Sequence, residues 1–160
     1  MAPLLDGIYT IANNVQHYPV LDLDGATNPF ASPIAGVVGF ANNGPGTKNH
    51  QWIVTTLRPG VYSLQSAFAS NTWLAAPTDG ATLAQIESSG YDPVFNEVTR
   101  WKITNIEGNK YQPFRIKSVP FPGKVMDLEM ANPTDGTRVI LYPTNKTLNQ
   151  IWTFIPNATP

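Results

Sequence analysis

Apolar and polar residues alternate along much of this chain in short runs: "GIYTIAN" at 7–13, "WIVTT" at 52–56, "GVYSLQS" at 60–66, "WKITN" at 101–105, "YQPFRIKS" at 111–118 and "WTFIP" at 152–156. A period of two places every second side chain on one face, the pattern of a half-buried β-strand. No window sustains the i, i+3, i+4, i+7 apolar pattern of a helix. The 12 glycines and 15 prolines also interrupt the chain too often for long helices. The expectation is an all-β protein.

The runs recur. Trp52, Trp101 and Trp152 are spaced by 49 and 51 positions, and each opens one of the alternating runs. A further recurring element is "VLDL" (20–23), "WLAA" (73–76) and "VMDL" (125–128), and another is "AGVVGF" (35–40), "TLAQIE" (82–87) and "RVILYP" (138–143). Four strands in each of three units predict twelve. The units span about residues 7–56, 57–107 and 108–156 of one domain covering 1–160. "PTDG" occurs at 77–80 and 133–136, where proline presets φ, aspartate bonds nearby backbone and glycine takes the last position of a turn. A three-bladed propeller falls below the usual blade numbers, and an uncapped solenoid would expose its ends. Three four-stranded units closed into a barrel with a hairpin cap remain, the β-trefoil.

Composition narrows the function. At 160 residues and 42% hydrophobic, the chain can bury a core without staples, and it has no cysteine for a disulfide or a thiol nucleophile. Charged residues are only 13%, net charge is -1, and the ten Lys and Arg form no run. This excludes nucleic acid and an anionic membrane as expected partners. "MAPLLDGIYT" lacks the basic and apolar regions of a signal peptide, and no stretch is long enough to span a membrane. A cytoplasmic location, or unconventional export, is expected. The sequons at Asn145 and Asn157 are read as chance on that ground.

Catalysis finds little to work with. The two histidines, His17 and His50, have no ligand spacing and are read as surface or turn residues, so neither metal nor cofactor is expected. There is no G-x-S-x-G, and "NNGPGTKN" (42–49) lacks the order of a phosphate loop. Asp92, Glu97, Glu107 and Glu129 show no paired placement of the kind a glycosidase needs. The chain is expected not to be an enzyme.

The threefold spacing, the Q-x-W of Gln150-Ile151-Trp152 and the V-x-D-L stretches resemble the ricin-B-like lectins, especially the small cytosolic ones of mushrooms. The resemblance covers almost the whole chain, although the first unit reads "NHQW" and the second "VTRW" where the third keeps Q-x-W. It implies a sugar site built from a carboxylate in the V-x-D-L stretch, an aromatic on the strand before the tryptophan, and an amide three positions before it. A carboxylate accepts from sugar hydroxyls, an aromatic face covers the C–H patch of a pyranose, and an amide fixes one hydroxyl. The third unit supplies Asp127, Tyr142 and Asn149, and the first supplies Asp22, Phe40 and Asn49. In the second the matching positions are read as Ala75, Ile86 and Val98, so all three features are missing together. Gln150 is read as satisfying a turn. The polar residue the family carries two before the aromatic is Ile140 in one unit and Val38 in the other, which removes a hydroxyl partner. The implied ligands are glycans or glycoproteins of galactose or N-acetylgalactosamine type.

A second class stays open. The first unit carries an insertion, "DGATNPFASPIAG" (24–36), with Phe30 at its centre, and long loops in compact domains are commonly functional. Mushrooms also make β-trefoil protease inhibitors that insert loops into the enzyme's cleft. The insertion has no Lys or Arg, and Asn28 precedes Pro29, so Lys124 of "PFPGK" (120–124) is the better inhibitory residue. A protease is therefore the alternative partner. The sequence leaves monomer and homodimer both open.

Overall fold

The computed structural model describes residues 3–24, 35–44, 46–69, 71–106 and 113–157. Phe30, Asn28, Pro29 and Glu107 lie outside the described residues, as do Tyr111 and Gln112 of the expected strand at 111–118. The strands are β1 (Gly7–Asn13), β2 (Val20–Leu23), β3 (Val37–Phe40), β4 (Trp52–Arg58), β5 (Val61–Ser66), β6 (Trp73–Ala75), β7 (Glu87–Ser89), β8 (Trp101–Asn105), β9 (Pro113–Ser118), β10 (Lys124–Leu128), β11 (Thr137–Pro143) and β12 (Trp152–Pro156). No α-helix occurs among the described residues.

Antiparallel pairing closes β1, β4, β5, β8, β9 and β12 into a ring, in which each strand bonds two ring neighbours. Closure removes the sheet edges that would otherwise invite aggregation. The remaining strands form three hairpins, β2–β3, β6–β7 and β10–β11. They cap the barrel and touch one another through β3–β11 pairing and the bridges Gly36–Glu87 and Gln85–Ile140. This is the β-trefoil.

Trp52, Trp101 and Trp152 are all fully buried. Each indole N–H donates to a backbone carbonyl in the second strand of its own unit: Leu21 at 3.1 Å, Leu74 at 2.9 Å and Met126 at 3.2 Å. One bond per unit thus ties the barrel to its hairpin while giving a buried donor its partner. The turn chemistry also appears as expected. Both PTDG glycines, Gly80 and Gly136, have positive φ, and Asp79 accepts from the Ala81 amide at 3.0 Å.

The second hairpin differs from expectation. "TLAQIE" was expected to form its outer strand, yet β7 begins at Glu87. The ladder sets Trp73 opposite Ser89, as Val20 faces Phe40 and Val125 faces Tyr142. Ser89 therefore stands where the other units carry their aromatic, and Ile86 does not. Ile86 is fully buried, and its backbone bonds those of Val37 and Val139, the core residues three positions before Phe40 and Tyr142. Burial at the junction of the three hairpins fixes the register, and period-two reading within one short segment does not see that junction.

Candidate functional site

Three elements converge at the third unit. Along β10, Met126 and Leu128 alternate with Asp127, so the pleat turns the carboxylate away from the barrel core. β11 brings Tyr142 opposite Val125, and the 3-10 turn Leu148–Gln150 brings Asn149 and Gln150 directly before Trp152. Asn149 Nδ2 donates to Asp127 Oδ1 at 3.0 Å and to the Leu128 carbonyl at 3.1 Å. Gln150 Nε2 donates to Asp127 Oδ2 at 2.9 Å and to the Pro143 carbonyl at 2.9 Å, while its Oε1 accepts from the Asn145 amide at 2.8 Å. The Thr147 hydroxyl donates to Asn149 Oδ1. The expected triad is thus brought together, and Gln150 does more than satisfy a turn: it braces the other carboxylate oxygen.

Asp127 and Asn149 line a cleft of about 340 Å³ with Tyr142, Asn145, Ile140, Glu129, Met130 and Leu83. Asp127 is only 3% exposed, and burial holds its carboxyl above the ordinary carboxylate range, against the lowering effect of the two amide donors. Glu129, the next negative charge along the chain, pushes it the same way. A carboxylate has about four lone-pair positions, of which the two amides use one on each oxygen. What remains at the cleft is a set of acceptors beside an aromatic ring, and such a set calls for a ligand that donates several hydrogen bonds and has an apolar face.

The first unit repeats the plan with changes. Asn49 Nδ2 donates to Asp22 Oδ2 at 3.1 Å, so Asp22 and Asn49 also meet. The same oxygen lies 2.5 Å from His50 Nε2. His50 lies in a turn, as one of its two readings had it, but at 1% exposure it is no surface residue. It occupies the place of Gln150, two residues before the tryptophan and in the same 3-10 turn, here Lys48–His50. Phe40 is half-buried, with its ring centroid 6.2 Å from that of His50. The signal was present in the sequence: aligned on the tryptophan, "NHQW" sets His50 at the glutamine of Q-x-W. His17, in contrast, is exposed.

In the second unit Ala75, Ser89 and Val98 stand in place of the carboxylate, the aromatic and the amide, and Thr99 stands in place of Gln150. Val98 and Thr99 are buried in the 3-10 turn Glu97–Thr99. The joint absence of the triad therefore survives the change of register. Leu83, which sequence reading passed over, reaches from this unit into the cleft of the third.

Lys124, the expected inhibitory residue, is the first residue of β10, and its ammonium donates to the Gly80 carbonyl. It is half-buried and tied to the neighbouring unit, because the hairpins pack side by side. Among the described residues no group of three His, Cys, Asp or Glu side chains is placed to hold a metal ion. Glu97 and Glu129 each face an arginine, Arg100 at 3.9 Å and Arg138 at 3.7 Å.

Comparison with known proteins bears on the fold and the family. The Rhizoctonia solani agglutinin is similar over 98% of this chain and 99% of its own, at 25% identity and a TM-score of 0.79. A Macrolepiota procera ricin B-like lectin, solved in complex with lactose, is 28% identical over 97% of this chain and 99% of its own, with a TM-score of 0.74. The designed threefold-symmetric protein ThreeFoil shares the fold, at 22% identity, 94% and 99% coverage and a TM-score of 0.77. No curated protein sequence matches the chain. The profile of the family described as ricin-type beta-trefoil lectin domain-like matches residues 48–142, more than half of the sequence. On that match, the chain belongs to the ricin-type β-trefoil lectin family.

Proposed function

We propose that this protein is a carbohydrate-binding lectin that takes a galactose- or N-acetylgalactosamine-type pyranose in the third-unit cleft and, through Asp22, Phe40 and Asn49, a second one in the first unit. The observation that carries the reading is Asp127. It is a buried carboxylate held open by one amide on each oxygen, with spare acceptor positions at the floor of a cleft whose wall is Tyr142. Sugar hydroxyls donate to those positions, the C–H face lies on the ring, and Asn149 Oδ1 accepts one more hydroxyl. The choice of sugar rests on the family and on solved relatives: the Macrolepiota lectin holds lactose, and an earthworm R-type lectin 21% identical to this chain holds GalNAc. The partners are accordingly glycans or glycoproteins. Two sites on one chain let even a monomer bridge two glycans.

A glycan array run beside a panel of serine and cysteine proteases tests the reading. Saturable binding to galactose-terminated glycans without inhibition is the expected result. Protease inhibition without sugar binding would overturn it in favour of the loop-inhibitor alternative, which the engaged Lys124 does not favour.

A further inference from the structure

We infer that the third-unit site is an extended one, built for a neutral oligosaccharide whose second ring lies beyond Met130 in a separate polar cleft. This inference rests on the sugar-binding reading of Asp127, Tyr142 and Asn149 and adds to it a second subsite.

Next to the cleft of Asp127 lies another of about 380 Å³, lined among others by Asn132, Thr134, Asp135, Thr137 and Arg138. Both clefts are bounded by Glu129 and Met130, so those two residues form the ridge between them. The ridge is the 3-10 turn Glu129–Ala131. Met130 is 91% exposed there and has a φ of 55°. A thioether on a ridge offers a soft, polarizable surface for the apolar side of a glycosidic link.

β11 supplies the floor of both clefts. Arg138, Ile140 and Tyr142 are two residues apart, so they project from the same face of the strand. At ~3.4 Å per residue, Arg138 and Tyr142 are about 14 Å apart along it, which suits two sugar rings and exceeds one. Arg138 is engaged at both nitrogens: its Nη2 donates to the Leu83 carbonyl at 2.7 Å and its Nη1 lies 3.7 Å from Glu129 Oε1. Leu83 belongs to the first cleft, so the guanidinium reaches between the two.

The chemistry of the second cleft selects the ring. Arg138 supplies donors, Glu129, Asp135 and Asn132 supply acceptors, and Thr134 and Thr137 supply hydroxyls. Mixed donors and acceptors suit the hydroxyls of a neutral hexose. An acidic sugar would set its carboxylate against Glu129 and Asp135, with a single arginine already shared with Glu129. The neutral ring is therefore favoured over the acidic one.

The test compares methyl β-galactoside, lactose and a sialylated lactose by titration calorimetry on the full chain, with amide NMR spectra to locate each. Lactose is expected to bind roughly tenfold more tightly than the monosaccharide, the gain of one or two net hydrogen bonds. It should also shift the Asn132, Thr134 and Thr137 amides that the monosaccharide leaves unmoved, and the sialylated ligand should gain less. Asn132→Ala, and independently Thr134→Tyr to fill the second cleft at an exposed position, should bring lactose down to the monosaccharide's affinity and leave the monosaccharide unchanged, because both residues line the second cleft and not the first. Equal affinity for methyl galactoside and lactose, or loss of both ligands in both variants, would overturn the subsite. Binding of neither sugar by the unaltered protein would instead overturn the lectin reading beneath it.

Discussion

His50 Nε2 lies 2.5 Å from Asp22 Oδ2, whereas the equivalent Asp127 Oδ2 accepts from Gln150 Nε2 at 2.9 Å. An imidazole and an amide thus do one job in two units: each is fully buried just before a core tryptophan and holds one oxygen of a buried carboxylate. They differ at the other end. Gln150 has its remaining amide oxygen satisfied by the Asn145 amide, but His50 Nδ1 is buried without a partner among the described residues.

His50→Gln should therefore keep the fold and any sugar binding of the first unit, because glutamine is already the working solution in the third. His50→Ala removes a partner from a buried carboxylate and should cost about 1 to 3 kcal/mol. Urea unfolding of the two variants separates them. Equal destabilisation by both would mean that bulk, not the bond to Asp22, is what the position requires.

Asp127→Ala should weaken sugar binding at the third unit by ~2 kcal/mol or more, a factor of roughly thirty, since the hydroxyls it accepts would be left unpaired. Residual binding should persist through Asp22, Phe40 and Asn49, and the double variant Asp22→Ala, Asp127→Ala should be silent. Titration with a galactoside reads all three. Full-strength binding by the double variant would remove both carboxylates from the site. Val98→Ala, in the unit without a triad, should leave affinity unchanged.

Binding should also depend on pH. Burial raises the Asp127 carboxyl above its ordinary range, so it takes up a proton, and stops accepting from sugar hydroxyls, at a less acidic pH than an exposed aspartate. Affinity at the third unit should fall as pH drops through that raised value. The effect on folding has the opposite sign. Between the ordinary and the raised value the native chain holds more protons than the unfolded one, so this group's contribution to stability grows as pH falls and is lost as pH rises through the folded value. Calorimetric titrations across pH, with urea midpoints of the native chain and Asp127→Asn measured in parallel, check both signs. Binding that strengthens on acidification would contradict the assignment of Asp127 as an acceptor.

Trp152→Ala should cost about 3 to 5 kcal/mol, the range of large buried aromatics, because it opens a cavity and breaks the bond from the indole to the Met126 carbonyl that joins barrel and hairpin. Trp101→Ala, in the unit without a triad, should be similarly destabilising while leaving the architecture of the two triads in place. Chemical unfolding monitored by circular dichroism measures each. A loss below 1 kcal/mol at either position would place that tryptophan outside the cooperative core.

The sequence by itself determined the twelve strands, the three buried tryptophans and the pairing of a carboxylate with an amide in two units out of three. Those features are legible because each depends on local order: pleat alternation, a fixed step before each tryptophan, and turn residues such as Gly80 and Gly136, whose positive φ a side chain would strain. Tertiary structure alone decided what depends on contacts between units. It set Ser89 rather than Ile86 opposite Trp73, because Ile86 packs at the junction of the three hairpins with Val37 and Val139. It drew His50 inside, since the carboxylate it meets lies 28 residues earlier in the chain. It tied Lys124 to Gly80, 44 residues away, and put Leu83 of one unit into the cleft of the next. Period and spacing report which way a side chain faces along its own strand. Only closure of the barrel and its cap determines which distant side chain it finds there.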